Sequence, residues 1–98
     1  MIVYEVTATI DPKLAEKFER YMREKHIADV LATGQFISAS FESSAEGRYR
    51  TLYIAETQDA LDSYLREFAP PLRDDVAANF PEGAEFSREF WVVLETFP

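Results

Sequence analysis

The chain has few residues that could do chemistry, and His26 is the first of them. It is the only histidine, and imidazole is the one side chain whose ordinary pKa lies close to neutral pH. His26 is therefore the best candidate for a proton-transfer role or for a hydrogen bond to a ligand. The structural alternative is a histidine at the end of a helix that donates to the last carbonyl groups.

Three further side chains are candidate ligand contacts. The hydroxyl of Thr33 could meet a ligand beside a turn or satisfy a backbone group locally. Arg73 lies near the start of a predicted helix, where the helix dipole disfavours a cation. An anionic ligand would explain a cation at this position, but a salt bridge to an acidic residue is the preferred interpretation. Tyr53, with Tyr64 and Trp91, could line an aromatic pocket, but such residues more often form core or interface.

No metal or cofactor site is predicted. The pairs Asp74-Asp75 and Glu82 with Glu85 lack the spacing of metal ligands and are interpreted as solvated charge. The absence of cysteine excludes a disulfide, a thiolate nucleophile and a zinc-thiolate site. Eighteen acidic against ten basic residues give a net charge of −8, which repels nucleic acid and anionic lipid. We therefore expect no cofactor, no nucleic-acid partner and no membrane partner.

The length of 98 residues predicts a single domain over residues 1–98. The first five residues, Met1-Ile2-Val3-Tyr4-Glu5, lack the basic start of a signal peptide. No apolar run approaches the roughly 20 residues that a membrane span needs. These features predict a soluble, cytoplasmic protein.

The first half of the chain predicts a strand, a helix with a break, and a turn. Alternating apolar residues over Ile2–Ile10 indicate a strand. Asp11-Pro12 then supplies an N-cap and a first helical residue. The apolar stripe from Leu14 to Lys25 changes phase at His26, so the helix must bend or restart there. Gly34 is the predicted end of this helical stretch.

The second half adds three strands and a second helical stretch. Phe36 opens a strand, and a loop of about five residues ending at Gly47 joins it to a third strand over Arg48–Thr57. The last residue of that strand is the predicted N-cap of the next helix. Pro70-Pro71 interrupts this helix, and a third helical piece follows. The last strand is predicted from about Ala84 to Phe97, with apolar residues on both faces.

The order β-α-β-β-α-β, with extra short helices, predicts a ferredoxin-like α+β fold with a four-stranded antiparallel sheet. Right-handed crossovers put the first and third strands at its centre, where we expect them to run parallel, with both main helices on one face. Apolar residues on both sides of the third and fourth strands require a cover for the other face. The sequence therefore predicts a homodimer whose two sheets meet face to face, with each last strand reaching its partner.

Four segments resemble a known bacterial family. They are Ile2-Val3-Tyr4-Glu5-Val6, His26-Ile27-Ala28-Asp29-Val30-Leu31-Ala32-Thr33-Gly34-Gln35-Phe36, Leu61-Asp62-Ser63-Tyr64-Leu65 and Ala69-Pro70-Pro71-Leu72-Arg73. They are similar to DUF4286, a domain of unknown function whose box reads roughly His-Ile-Pro, two variable residues, Leu-Ala-Thr-Gly, one variable residue and Phe. A later segment of that family reads Ala-Pro-Arg-Leu-Arg. Ala28 stands where the family usually has Pro, and Pro71 where it usually has Arg.

That family resembles in turn the dimeric α+β barrel group, which includes cofactor-independent monooxygenases, muconolactone-isomerase-like proteins and stress-responsive barrel proteins. The resemblance implies a pocket between the sheet and the helices. We thus expect a homodimer that binds a small molecule near His26, with Thr33, Tyr53 and Arg73 as ligand contacts. One alternative is a cofactor-independent monooxygenase or isomerase acting on an aromatic or polyketide-like substrate. The other is a structural or partner-binding dimer whose pocket is filled by its own side chains.

Overall fold

A computed structural model describes residues 1–98 as four strands and two helical stretches. The strands are β1 (Ile2–Ile10), β2 (Ser38–Ser43), β3 (Arg48–Ala55) and β4 (Ala84–Val92). The first helical stretch contains a 3-10 turn (Pro12–Leu14), α1 (Ala15–Tyr21), a π-helical turn (Met22–His26) and α2 (Ile27–Ala32). The second contains α3 (Gln58–Ser63), another π-helical turn (Tyr64–Phe68) and α4 (Ala69–Asn79). None of these helices has the length and apolar character needed to cross a membrane.

The four strands form an antiparallel sheet in the order β2-β3-β1-β4. This confirms the predicted ferredoxin-like α+β fold, with β1 and β3 at the centre. The expectation that these two strands run parallel is wrong, because Tyr4 and Tyr53 face each other in an antiparallel ladder. The first helical stretch returns the chain so that β2 runs in the direction of β1. The β2–β3 hairpin then reverses it, and β3 enters between them in the opposite direction.

One face of the sheet, here called the helix face, packs against both helical stretches. Tyr4 and Ala8 of β1 and Tyr49, Thr51 and Tyr53 of β3 are buried there, whereas the residues next to them in each strand are more exposed. The alternation of a strand produces this division, since successive side chains point to opposite faces. Burial of these residues against the helices forms the core.

Each helical stretch contains one π-helical turn. The N–H of Ile27 donates to the carbonyl of Met22, and the N–H of Ala69 donates to the carbonyl of Tyr64, in both cases five residues earlier. A π-turn adds one residue to the helix and so rotates everything after it. The first π-turn ends at His26 and accounts for the predicted change of phase. The second lies just before the two prolines of α4, which lack the N–H groups of a regular helix.

The predicted caps and turn residues are confirmed. Asp11 Oδ1 accepts from the backbone N–H two residues later at 3.0 Å, and Thr57 Oγ1 accepts from the N–H three residues later at 3.1 Å. Gly34 and Gly47 have φ angles of +78° and +74°, a region that favours glycine. At Gly47 the surroundings add a second constraint, because a Cβ there would lie 2.3 Å from the carbonyl oxygen of Ile10.

Strand β4 is shorter than predicted. It pairs with β1 up to Val92, opposite Ile2, and one further bond joins the N–H of Val93 to the carbonyl of Met1 at 2.9 Å. Backbone pairing between β4 and β1 ends there. Leu94 is 94% exposed, so the predicted extension of the strand to Phe97 is wrong.

The other face of the sheet, here called the outer face, carries a polar network across all four strands. Trp91 Nε1 donates to Glu5 Oε2 at 3.1 Å, and Glu5 pairs with Arg50 at 3.5 Å. Arg50 Nη2 donates to Glu42 Oε1 at 2.6 Å, and Ser40 Oγ donates to Glu42 Oε2 at 2.9 Å. The outer face is therefore less uniformly apolar than the sequence indicated.

Candidate functional site

A small cavity lies between the helix face of the sheet and the helices. Its volume is about 40 Å³, which is room for roughly three or four water molecules. The lining comes from β1, β3, β4 and both helical stretches, and consists of Tyr4, Val6, Ala8, Phe18, Met22, His26, Thr51, Tyr53, Tyr64, Arg73, Val76, Phe86 and Arg88. A cavity of this size accepts a very small molecule or one end of a larger one, since sites for drug-sized ligands span about 300–1,000 Å³.

A larger groove of about 360 Å³ lies on the rim of the outer face, among residues such as Glu5, Glu42 and Arg50. It is open to solvent, and Arg50 there already pairs with both Glu5 and Glu42. No residue of this groove has a buried polar atom that lacks a hydrogen-bond partner. We therefore take the smaller cavity as the candidate site.

Two buried polar atoms of the cavity-lining residues have no hydrogen-bond partner. They are Nδ1 of His26 and the hydroxyl oxygen of Tyr53. An unpaired polar group costs about 1–3 kcal/mol when it is buried, so folded proteins retain few of them. Two such atoms in the lining of one cavity indicate a place where a guest molecule supplies the missing bonds.

His26 is held at the end of the first π-turn, where its ring stacks on Tyr21 at a centroid distance of 5.7 Å. Burial lowers the pKa of His26 below its usual value, although Asp29 and Asp75 act in the opposite direction. The imidazole is therefore neutral at pH 7, and Nδ1 can donate or accept according to its tautomer. Since the helix continues beyond His26 to Ala32, the alternative of a histidine that caps a helix end is wrong.

The lowered pKa predicts a pH dependence of stability. Between the folded and the unfolded pKa, the folded state binds fewer protons, so stability falls as pH falls. The contribution of neutral His26 is complete above about pH 6.5 and declines below it. Urea unfolding at about pH 7.5 and pH 5.5 should show a larger loss of stability for the native protein than for His26→Gln. Equal losses in the two proteins would contradict the assignment.

Tyr53 projects from the centre of β3 into the core, where its ring stacks on that of Tyr4 at 5.9 Å and packs at a tilt against that of Phe36 at 5.2 Å. Burial raises the pKa of Tyr53, so its hydroxyl stays protonated and can donate a hydrogen bond. The hydroxyl has no acceptor within the chain. An acceptor on a ligand would fill this role.

Removal of the unpaired hydroxyl should stabilise the protein. We expect Tyr53→Phe to raise the free energy of unfolding by about 1–3 kcal/mol in the absence of ligand. The matched control is Tyr49→Phe, because the Tyr49 hydroxyl donates to Glu19 Oε2 at 2.7 Å. Loss of that bond should lower the free energy of unfolding by about 1 kcal/mol. Chemical denaturation of both variants tests the opposite signs, and a destabilised Tyr53→Phe would argue against an unsatisfied hydroxyl.

Arg73 reaches the cavity from α4, and its Nη2 donates to the Tyr4 hydroxyl at 3.1 Å. It forms no salt bridge, so the preferred interpretation of Arg73 as a partner of an acidic residue is wrong. Arg88, on the edge strand β4, also lines the cavity without an ion pair. Sequence reasoning missed Arg88. The alternation of side chains along β4 could have identified it, because Arg88 lies two residues from both Phe86 and Phe90 and therefore on the same face of the strand.

Thr33 does not line the cavity. Its Oγ1 donates to the carbonyl of Val30 at 2.7 Å and accepts from the N–H of Gln35 at 3.4 Å. The hydroxyl thus serves the turn before β2, which is the local role considered for it. Of the predicted site residues, His26, Tyr53 and Arg73 line the same cavity, as does Tyr64, whereas Thr33 lies outside it.

The acidic pairs form no metal site. No three His, Asp or Glu side chains lie close enough together to hold a metal ion. Asp75 instead accepts hydrogen bonds from the Tyr21 hydroxyl and from Lys25 Nζ. This bond network ties α4 to the first helical stretch near His26.

Three solved structures illustrate which proteins share this fold. SnoaB, a cofactor-independent oxygenase from Streptomyces nogalater, has a TM-score of 0.76 and 14% identity over 99% of this chain and 96% of that one. The heme degrader MhuD from Mycobacterium tuberculosis, solved with two hemes in its active site, has a TM-score of 0.73 and 14% identity over 100% of both chains. A dimeric ferredoxin-like protein from an uncultured marine organism has a TM-score of 0.71 and 12% identity, covering 100% and 99%. At such identities the likeness establishes the fold alone.

Comparison with curated proteins found no significant match. The model of the family described as domain of unknown function DUF4286, however, matches residues 1–93. This range includes every residue that lines the cavity. The resemblance inferred from the His26–Phe36 box is confirmed, and the chain belongs to the DUF4286 family.

Proposed function

We propose that this protein is a homodimer that binds a small organic molecule in the cavity beside His26. The observation that carries the proposal is the pair of unpartnered buried atoms, Nδ1 of His26 and the hydroxyl of Tyr53, in the lining of one cavity. Neither atom gains a bond from the chain itself. A guest that gives each of them a partner would recover the free energy that their burial costs.

The origin of the lining residues supports the same proposal. Three lining residues belong to the π-turns: Met22 is the first residue of the first π-turn, His26 is its last, and Tyr64 is the first residue of the second. Single π-turns often occur at functional sites, since they orient side chains that a regular helix would direct elsewhere. Both irregular turns of the chain thus contribute to one cavity.

The cavity suits the end of a molecule better than a whole one. Tyr53 and Tyr64 lie deep in the core, whereas Arg73 on α4 and Arg88 on β4 are exposed. The entrance therefore lies between α4 and the edge of the sheet. A ligand would insert one group toward His26 and leave its remainder near this entrance.

A titration followed by amide chemical shifts tests the binding. We expect at least one of four probe classes, namely small carboxylates, phenols, alcohols and amines, to shift the signals of residues around His26 and Tyr53. The His26→Ala variant should lose this response. The Thr33→Val variant should keep it, because Thr33 lies outside the cavity. If no probe class shifts these signals, a structural or partner-binding dimer becomes the better account.

The homodimer is supported by the exposed apolar residues at the end of the chain. Trp91, Val92, Leu94 and Phe97 are all large, apolar and exposed, and such a group of residues commonly marks an interface. One structural relative is itself described as a dimeric ferredoxin-like protein. Light scattering at micromolar concentration should give the mass of two chains. The mass of one chain would argue against the dimer.

A second candidate function is cofactor-independent oxygenation. It is favoured by the neutral, buried His26 and by the likeness of the fold to that of SnoaB. His26 would remove a proton from an acidic substrate, and the resulting anion would itself reduce oxygen. A polyketide-sized ring system does not fit a cavity of about 40 Å³, which is why we prefer binding. Oxygen uptake with polycyclic phenols tests the second candidate, and turnover retained by His26→Ala would exclude His26 as the base.

A further inference from the structure

We infer that the ligand of this cavity is an organic carboxylate whose charged group is held by Arg73 and Arg88. This inference rests on the proposed binding function and adds a charge and a chemical class to it. Four observations carry it: the charge of the lining, the lack of ion pairs at the two arginines, the hydrogen-bond donors among the other lining residues, and the size of the cavity.

The charge of the lining is opposite to that of the protein. The chain has eighteen acidic and ten basic residues, yet two arginines and no acidic residue line the cavity. A site of one sign in a protein of the other sign attracts a ligand that the rest of the surface repels. The lining therefore selects an anion.

Neither arginine is neutralised within the chain. Arg73 donates only to the uncharged hydroxyl of Tyr4, and Arg88 makes no ion pair. Arg50 on the outer face is different, because Glu42 accepts two of its hydrogen bonds. The planar fork of a guanidinium matches the two oxygens of a carboxylate. An anionic guest would supply Arg73 and Arg88 with the partner that Arg50 already has.

The other polar groups of the cavity can donate to the same anion. Burial raises the pKa of Tyr64 to about 12 and raises that of Tyr53 as well, so both hydroxyls keep their protons. His26 is neutral and can donate from Nδ1 in one tautomer. A carboxylate has four lone-pair positions and no proton to donate. It would satisfy the unpartnered Tyr53 hydroxyl and His26 together.

The size and the remaining lining identify an organic rather than an inorganic anion. A volume of about 40 Å³ holds roughly three or four water-sized groups, which corresponds to a carboxylate and the atom that bears it. Val76 of α4 and Phe86 of β4 also line the cavity and offer apolar surface to the rest of the ligand. Inorganic phosphate has no group that could use this surface.

Calorimetric titration of the intact protein with three benzene derivatives and inorganic phosphate tests the inference. The probes are benzoate as anion, benzyl alcohol as neutral analogue, benzylamine as cation, and inorganic phosphate as an anion without an apolar body. We expect benzoate to bind most tightly. Loss of a charge-assisted bond in Arg88→Gln should weaken benzoate binding about tenfold to a hundredfold.

Two further variants make the test specific. Arg66→Gln removes an exposed arginine that lies outside the cavity and is the matched control, which should leave benzoate binding unchanged. Arg73→Gln provides a second loss of charge within the site, so the test does not depend on the folding of one variant. Thermal unfolding of each variant confirms that it is folded before the titration.

The outcomes separate this inference from the function on which it rests. Benzyl alcohol binding as tightly as benzoate, with no effect of Arg88→Gln or Arg73→Gln, would overturn the carboxylate and leave a small-molecule site. Phosphate binding as tightly as benzoate would replace the organic ligand by an inorganic oxyanion and also overturn the inference. Binding of none of the four probes at millimolar concentration would overturn the proposed function together with its ligand.

Discussion

Replacement of Gly47 by Ala is expected to lower the free energy of unfolding by about 3 kcal/mol or more. The φ angle of Gly47 is +74°, which strains any residue with a Cβ. The new methyl carbon would also lie 2.3 Å from the carbonyl oxygen of Ile10. Since the N–H of Ile10 donates to the Gly47 carbonyl at 2.7 Å, the backbone cannot move away without breaking this bond.

Gly34→Ala is the matched control for this effect. Gly34 has nearly the same φ angle, +78°, but a Cβ there would have no atom within 4 Å. Only the backbone strain remains, and we expect a loss of about 1 kcal/mol. Urea denaturation of the two variants measures the difference. Similar losses at the two positions would mean that the contact with Ile10 contributes nothing.

Phe18→Ala should be comparably damaging, with a loss of about 3–5 kcal/mol. Phe18 is 1% exposed, and its ring lies 5.1 Å from that of Tyr49 and 5.5 Å from that of Phe80. The variant would leave a hole at the centre of one half of the core. A small domain has about 5–15 kcal/mol of stability in total, so the variant should be close to unfolding at 37 °C.

The same substitution should change the cavity, because Phe18 forms part of its lining. The folded fraction of Phe18→Ala should enclose benzene, whose ring is too large for the interior of the native cavity of about 40 Å³, and benzene should recover part of the lost stability. Phe90→Ala is the control. Phe90 stacks on Tyr4 at 5.3 Å but is 49% exposed, and its loss should cost about 1 kcal/mol. Equal melting temperatures for Phe18→Ala and Phe90→Ala would refute this account of the core.

The parts of the fold that depend on neighbouring residues could be predicted from the sequence. The alternation in β1 and the cap at Thr57 are local signals, and both are confirmed. The parallel direction predicted for β3 relative to β1 is wrong, because alternation carries no information about direction. The end of β4 was placed too late because Val93–Phe97 has strand-like residues but no partner strand. The last paired residue of β4 is set by the position of its partner residues in β1. The residues of β4 alone do not indicate that position.

The candidate site could be predicted only in part. His26 and Arg73 were singled out by residue type, and the fold brings both to the cavity. Thr33 was included because of its place beside a glycine, but a threonine there commonly bonds its own turn, as this one does. Arg88 was overlooked because β4 was interpreted as apolar on both faces. Its position in the cavity follows from its register opposite Val6, which only the assembled sheet defines.

The location of Trp91 has a practical consequence. It is the only tryptophan of the chain, it is 53% exposed, and its indole bonds to Glu5 on the side of the sheet away from the cavity. The wavelength of its fluorescence emission maximum depends on the solvent exposure of the indole. A blue shift of this maximum at higher protein concentration would therefore indicate that another chain covers that side of the sheet. A guest entering beside His26 would leave the spectrum unchanged. One built-in fluorophore thus allows association and ligand uptake to be followed separately without any label.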